Sequence, residues 1–293
     1  MILDKNHNGP EGLWLDCDQM EAAAKVALKK QLSQFEPAIR DCYEAGVQVP
    51  TLASKRYGQP DILFSALFLK KALNDLRAVW ILVSTGYTSQ AAAVAATLYE
   101  NALAASCLAG DPICAERLQK ERTGDLPWSA QDLAKLLAKR WQEDAQKAKR
   151  VFKKEEFELA WREVYSAYKW LCKIKHPTYK SALHDSMAAS VKAGEYVVMA
   201  APDLRSENLP VKAVILTIAI SRVREAIRCF SAGVESDESG ADFNSFKIRM
   251  ENILTATHNA HAAFNDRPLP FDIGDSDLSK TYGKLKGRPG KIS

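Results

Sequence analysis

The sequence predicts an all-α protein: a multi-helix up-and-down bundle with at most one short isolated strand. Three observations lead there. Apolar residues recur at helical spacing through most of the 293 residues. Gly, Pro and capping side chains punctuate that pattern at intervals suited to helices. Only Glu195 to Met199 reads as a strand, and nothing nearby offers it a partner.

In chain order, the first helical stretch runs from about Gln19 to Ala45, bent near Pro37 and closed by Gly46. Pro50, Gly58 and Pro60 make 47–60 a loop. Asp61 is placed to cap a helix reaching Ser84, with Gly86 at its C′ position. Ser89 is placed to cap an Ala-rich helix to Leu108, ended by Gly110; so short a connection makes these two helices antiparallel neighbours. A short helix is expected near 112–121. Ser129 and Asp132 open another, to about Lys149, and a further one spans Lys154 to Lys175 and stops before Pro177. Helices at about 210–232 and 242–264 follow, separated by the acidic loop 235–240. The expected organisation is a helical extension at 1–60, a main bundle at 61–264 and a tail at 265–293, basic from 280.

Between Arg77 and Glu100 there is no charge, so this region has to be weighed as a membrane span. Polar residues 84–90 divide it into two apolar parts that each read as too short for the ~20 residues a span needs. It is therefore expected as a buried helix–turn–helix, with no membrane association. No apolar signal segment follows the start, and six Cys lie far apart without a Cys-x-x-Cys pair. Both point to a reducing, cytoplasmic compartment.

The net charge of +4 comes from the end of the chain. Lys280, Lys284, Lys286, Arg288 and Lys291 face no acid there, and removing these five leaves −1 for residues 1–279. Weak nucleic-acid contact is therefore assigned to the tail, with Lys284, Lys286, Arg288 and Lys291 as candidates. The segment Lys286-Gly287-Arg288-Pro289-Gly290-Lys291 is similar to the core of an AT-hook, in which an extended Gly-Arg-Pro enters a narrow minor groove. A second basic stretch, 135–154, sets eight Lys and Arg against Glu143 and Asp144. It reads as a solvated face, since a single-strand surface needs exposed aromatics and only Trp141 and Phe152 are at hand.

Phosphate-loop, nucleophile-elbow and zinc-helix motifs do not occur in the sequence, so no cofactor and no metal is expected. Three residues stand out as catalytic candidates. Glu100 is the only charge between Arg77 and Asp111, on a stripe of Ala, Leu and Cys. A carboxylate there either fixes helix register through a partner, with His176 or Arg77 the best placed, or works in a pocket. His176 sits where Pro177 ends a helix, and Tyr168 belongs to a Trp161–Tyr165–Tyr168–Cys172 stripe leading to it. His258 and His261 share a face at i, i+3, which reads as a polar face before a metal site.

Residues 61–183 resemble a widespread group of bacterial helical proteins in the domain-of-unknown-function class. The likeness rests on Leu98-Tyr99-Glu100-Asn101 after the turn Gly86-Tyr87-Thr88-Ser89, and on the Tyr-rich helix ending at His176-Pro177-Thr178. Where that group often has an Arg four residues before the Glu, this chain has Ala96. The resemblance implies that Glu100 and His176 approach each other. The group is in turn distantly similar to HEPN domains, helical bundles found among bacterial toxins, abortive-infection proteins and RNA-cutting enzymes. The HEPN ribonuclease signature, an Arg shortly followed by His, is met by no Arg here. Two readings stand: a non-catalytic helical recognition or interaction protein, tied by resemblance to stress or phage defence and working with a protein partner or a second copy; and a HEPN-like ribonuclease or other hydrolase acting through His176 and Glu100.

Overall fold

The computed structural model describes residues 10–264, apart from 53, 55, 177, 193, 194 and 197–199. The tail residues Lys284, Lys286, Arg288 and Lys291 lie outside the described residues, as does the AT-hook-like segment. Ten α-helices lie among the described residues: α1 (Pro10–Gln31), α2 (Glu36–Gln48), α3 (Pro60–Ser84), α4 (Thr88–Leu108), α5 (Pro112–Gln119), α6 (Ala130–Lys147), α7 (Lys154–Lys175), α8 (Tyr179–Ser186), α9 (Leu209–Gly233) and α10 (Ala241–Ala262). The strand expected near 195 has a partner after all. Strand β1 (Ser190–Lys192) pairs antiparallel with β2 (Glu195–Tyr196), the two joined over too few residues for the pairing to show in a periodicity scan.

Helix α4 is the axis of the body. Eight of its buried side chains are alanine or serine, so neighbouring backbones come close on every side. Helix α3 packs along it as the antiparallel partner, α9 crosses both, and α6 and α7 cover the other flank. Helices α2 and α10 pack together and onto α9, and α5 bridges α3 and α4. One continuous apolar core runs from Ala24 and Phe35 through Leu98, Leu103, Trp170 and Ile220 to Phe264. In length and composition α4 is apolar enough to cross a membrane, contrary to the two-short-halves reading. Here 78% of its apolar window is buried inside the protein, where Ala and Leu meet other helices.

Several helix ends follow the residues that mark them. Leu82, Val83, Gly86 and Tyr87 close α3 with the paired backbone bonds of a Schellman turn: Gly86 N–H to Val83 O, 3.2 Å, and Tyr87 N–H to Leu82 O, 2.8 Å. Ser129 and Asp132 form a reciprocal capping box on α6. Three ends differ from expectation. Gly46 does not close a helix; it sits inside α2 because a Cβ there would come within 2.6 Å of Leu73 on α3. Asp61 is not a cap but a buried partner of Arg56, at 2.9 Å. Ser89 lies in the first turn of α4, and its hydroxyl donates to Asp185 at 2.6 Å, so it ties α4 to α8.

Candidate functional site

Glu100 projects from the middle of α4 towards α7 and is half-buried. Its carboxylate accepts a hydrogen bond from the Tyr168 hydroxyl at 2.6 Å. The hydrogen-bond partner of Glu100 is therefore Tyr168, not His176 or Arg77. Helix propensity and the Trp161–Tyr165–Tyr168 spacing bring the phenol there: Tyr168 stacks on Tyr165 and leans against Tyr99, each at 6.2 Å between ring centroids. Burial, and then the carboxylate beside it, push the Tyr168 phenol well above its ordinary range. A phenol so held keeps its proton at neutral pH and is neither a base nor a nucleophile.

Next to it, Tyr99 is buried and donates to the Val164 carbonyl at 2.7 Å. The guanidinium of Arg222 on α9 lies 4.8 Å from the Tyr99 ring centre, with its Nε and Nη1 buried and without a hydrogen bond. Asn101, also buried, donates to Asp75 of α3 at 2.9 Å. The hairpin's polar residues are thus largely engaged in joining helices to one another.

His176 is elsewhere. Helices α4 and α7 run antiparallel, since Tyr99 meets Val164 while Ser89 meets Asp185 beyond the end of α7. His176 follows Tyr168 by eight residues, or about 12 Å along a helix axis. It caps the end of α7 with an exposed ring, its backbone N–H bonded to Cys172 O and its carbonyl to Ser181 Oγ at 2.7 Å. The approach of Glu100 and His176 implied by resemblance is not what the structure holds. The His258–His261 face divides too: His258 is exposed, and His261 turns to Thr217 of α9, Nδ1 to Oγ1 3.1 Å. Among the described residues, no group of three or more His, Cys, Asp and Glu could hold a metal ion.

The most charged buried cluster was missed in the sequence. Asp203 accepts from Arg205 at 2.8 and 2.7 Å through both oxygens, and also from Asn208 Nδ2. His184 Nε2 lies 3.2 Å from Asn208 Oδ1. Lys212, in the first turn of α9, has no exposed surface and makes no hydrogen bond among the described residues; a carboxylate oxygen of Asp203 lies 3.9 Å away. Burial pushes the Lys212 ammonium down to about 8, against the opposing pull of Asp203. Burial raises Asp203 as well, but Arg205 and Lys212 outweigh it and hold that carboxyl below its usual range. The adjoining cavity, beside Thr88, Ser181 and His184, has a volume of about 10 Å³, room for one water and no substrate. A signal was present: Lys212 is the only charge in the apolar run 209–220.

The basic stretch 135–154 also resolves into parts. Arg140 is not on a solvated face. Its guanidinium donates to Ser106 O and Ala109 O, both at 2.6 Å, and to Cys229 O at 3.1 Å, satisfying the carbonyls at the end of α4. Lys147, Lys149, Arg150, Lys153 and Lys154 are all exposed at the corner between α6 and α7. In a comparison with known proteins, the chain matches no family model, no curated protein and no solved structure.

Proposed function

We propose that this chain is a non-catalytic helical recognition or interaction protein. The observation that carries the reading is the fate of Glu100: its carboxylate is spent on Tyr168 inside the α4–α7 interface, and the exposed His176 stands about 12 Å further along the helix. A hydrolase needs nucleophile, base and a space for the reacting atom within hydrogen-bond reach of one another. The tie to stress or phage defence rests on the resemblance of the hairpin and His-Pro segments. A reducing, cytoplasmic setting is supported by six free cysteines, four of them buried.

The test pairs chemistry with stability. Incubated with single-stranded RNA, the protein leaves the strand full length. Tyr168→Phe lowers unfolding stability by about 1–2 kcal/mol, because a half-exposed Glu100 loses a charge-assisted hydrogen bond. His176→Ala leaves stability within about 0.5 kcal/mol. RNA cleavage by the wild type that disappears in both Glu100→Gln and His176→Ala would overturn the reading in favour of a HEPN-like ribonuclease.

A further inference from the structure

Resting on that reading, we infer that the α6–α7 corner binds single-stranded nucleic acid, stacking a base in a cleft between Trp141 and Phe152 and holding the flanking phosphates with exposed lysines. The two aromatic residues of the basic stretch lie eleven positions apart in sequence, yet both line one open cleft of about 400 Å³. Its other lining groups include Asp144, Arg150, Glu225 and Arg228. The cleft is shallow and wide open to solvent, so a base can approach its rings from the side.

The cleft is built to keep its aromatic walls in place. Trp141 Nε1 donates to Glu225 at 2.6 Å, which fixes the indole plane. Glu225 is also gripped by Arg228 through Nε at 3.0 Å and Nη2 at 2.9 Å, and Arg228 reaches Asp144 at 3.4 Å. Both cleft carboxylates are therefore neutralised from within, and the Glu225 carboxyl is held below its usual range despite burial. Also lining the cleft, Phe152 has the Arg150 guanidinium 5.3 Å from its ring centre. Arg150 is exposed and has no carboxylate within ion-pair distance among the described residues. An aromatic ring, a guanidinium and a second ring around an open slot are the parts that sequence-tolerant single-strand binding uses.

Charge around the slot has the matching sign. Lys147, Lys149, Lys153 and Lys154 are exposed beside Arg150. Lys149 holds a left-handed backbone, φ 55°, and the resulting turn places Arg150 N–H on Ala145 O at 2.8 Å. Of the acids beyond the cleft, Glu143 on α6 lies 3.8 Å from Lys139, and Glu155 and Glu156 lie in the first turn of α7, where Glu156 accepts from the Lys153 backbone N–H at 3.0 Å. The cleft meets base faces and phosphates, which RNA and DNA share, so the sugar is indifferent. A duplex hides its base faces and is the weaker ligand.

Fluorescence anisotropy with labelled oligo-U and oligo-dT of about 12 nucleotides, inside the roughly 4–16-nucleotide sites of such binders, tests this with the full chain. Both strands are expected to bind the protein within a few-fold of each other, and more tightly than a duplex of equal length. Phe152→Ala and Arg150→Ala each weaken binding about tenfold at unchanged thermal midpoint. Lys147→Gln, Lys153→Gln and Lys154→Gln together flatten the salt slope by about 2, at roughly 0.7 per phosphate contact. Three results overturn the inference: duplex binding as tight as single-strand binding; deletion of residues 280–293 abolishing binding that the corner variants retain; or no binding of any oligonucleotide, in which case the interaction-protein reading stands without this ligand. Cleavage of the strand in the same tubes, lost in His176→Ala, would instead overturn the non-catalytic reading, and is told apart because the product is shorter rather than unbound.

Discussion

At the scale of single residues, one isolated charge in an apolar run was read and its twin was overlooked. Glu100 stood out because nothing around it could solvate a carboxylate, and the structure answers with one phenol, Tyr168. Lys212 satisfies the same criterion and is more extreme, with no exposed surface and no hydrogen bond. Its proton affinity makes a prediction. The folded ammonium titrates at about 8 and an unfolded lysine near 10.5. The folded state therefore binds this proton less tightly than the unfolded one. Lys212 opposes folding in full below pH 8, and the opposition fades as pH climbs from 8 towards 10.5. Lys212→Met should raise stability at pH 7 by at most roughly 3 kcal/mol, with Arg205 still satisfying Asp203. The gap to wild type should close by about pH 10 in urea titrations. A variant that unfolds earlier at pH 7, with a gap that ignores pH, means that Asp203 depends on this lysine.

At the scale of elements, helix identity was legible because 3.6-residue periodicity and end signals agree over long segments, as they do for α6 and α7. What sequence could not supply was which small residue ends a helix and which lets another helix approach. Gly46 was read as a terminator and serves as a contact with Leu73. Short α8 was missed since its eight residues span little more than two turns. The strand pair was missed because pairing is a property of two segments. Close approach at the ends of α4 and α9 is the most sharply testable case. A Cβ on Gly233 would fall 2.6 Å from Ala109 C and 2.8 Å from Gly110 N, and backbone atoms cannot swing aside as a side chain would. Gly233→Ala should cost about 1–3 kcal/mol from overpacking, although alanine is the better helix former by about 1 kcal/mol. Gly240→Ala, with nothing within 4 Å, has no overpacking and loses only a helix N-cap preference, so it should cost less, about 0.5–1 kcal/mol. Equal denaturation midpoints for the two variants would show that α4 and α9 separate without cost.

At the scale of the whole molecule, the fold class was legible in the sequence, whereas the contacts by which residues 1–60 pack on the bundle join distant segments and carry no local signature. Residues 1–60, expected as an extension packed on the main bundle or partly separate from it, are tied to the second half of the chain by several unrelated interactions. Phe35 is fully buried and stacks on Phe264 at 6.2 Å. Gln48 donates to Asp242 O at 3.2 Å, and Arg56 donates to Gly233 O at 2.6 Å. Arg249 of α10 pairs with Glu44 and lies 3.8 Å from Asp41, both on α2. Helix α2 also sets Ala38, Ile39, Cys42 and Ala45 into the core that α9 shares. A segment with its own core would contribute its own unfolding step; one that completes another's core cannot leave without exposing it. Phe35→Ala is therefore expected to remove about 3–5 kcal/mol from a single transition of the whole chain. Far-UV and near-UV circular dichroism, followed on one denaturant titration, should lose signal together in wild type and variant alike. If the variant instead shows two steps, with only the first shifted and the α3–α4–α9 signal unmoved, residues 1–60 fold as a separate unit against an already complete bundle.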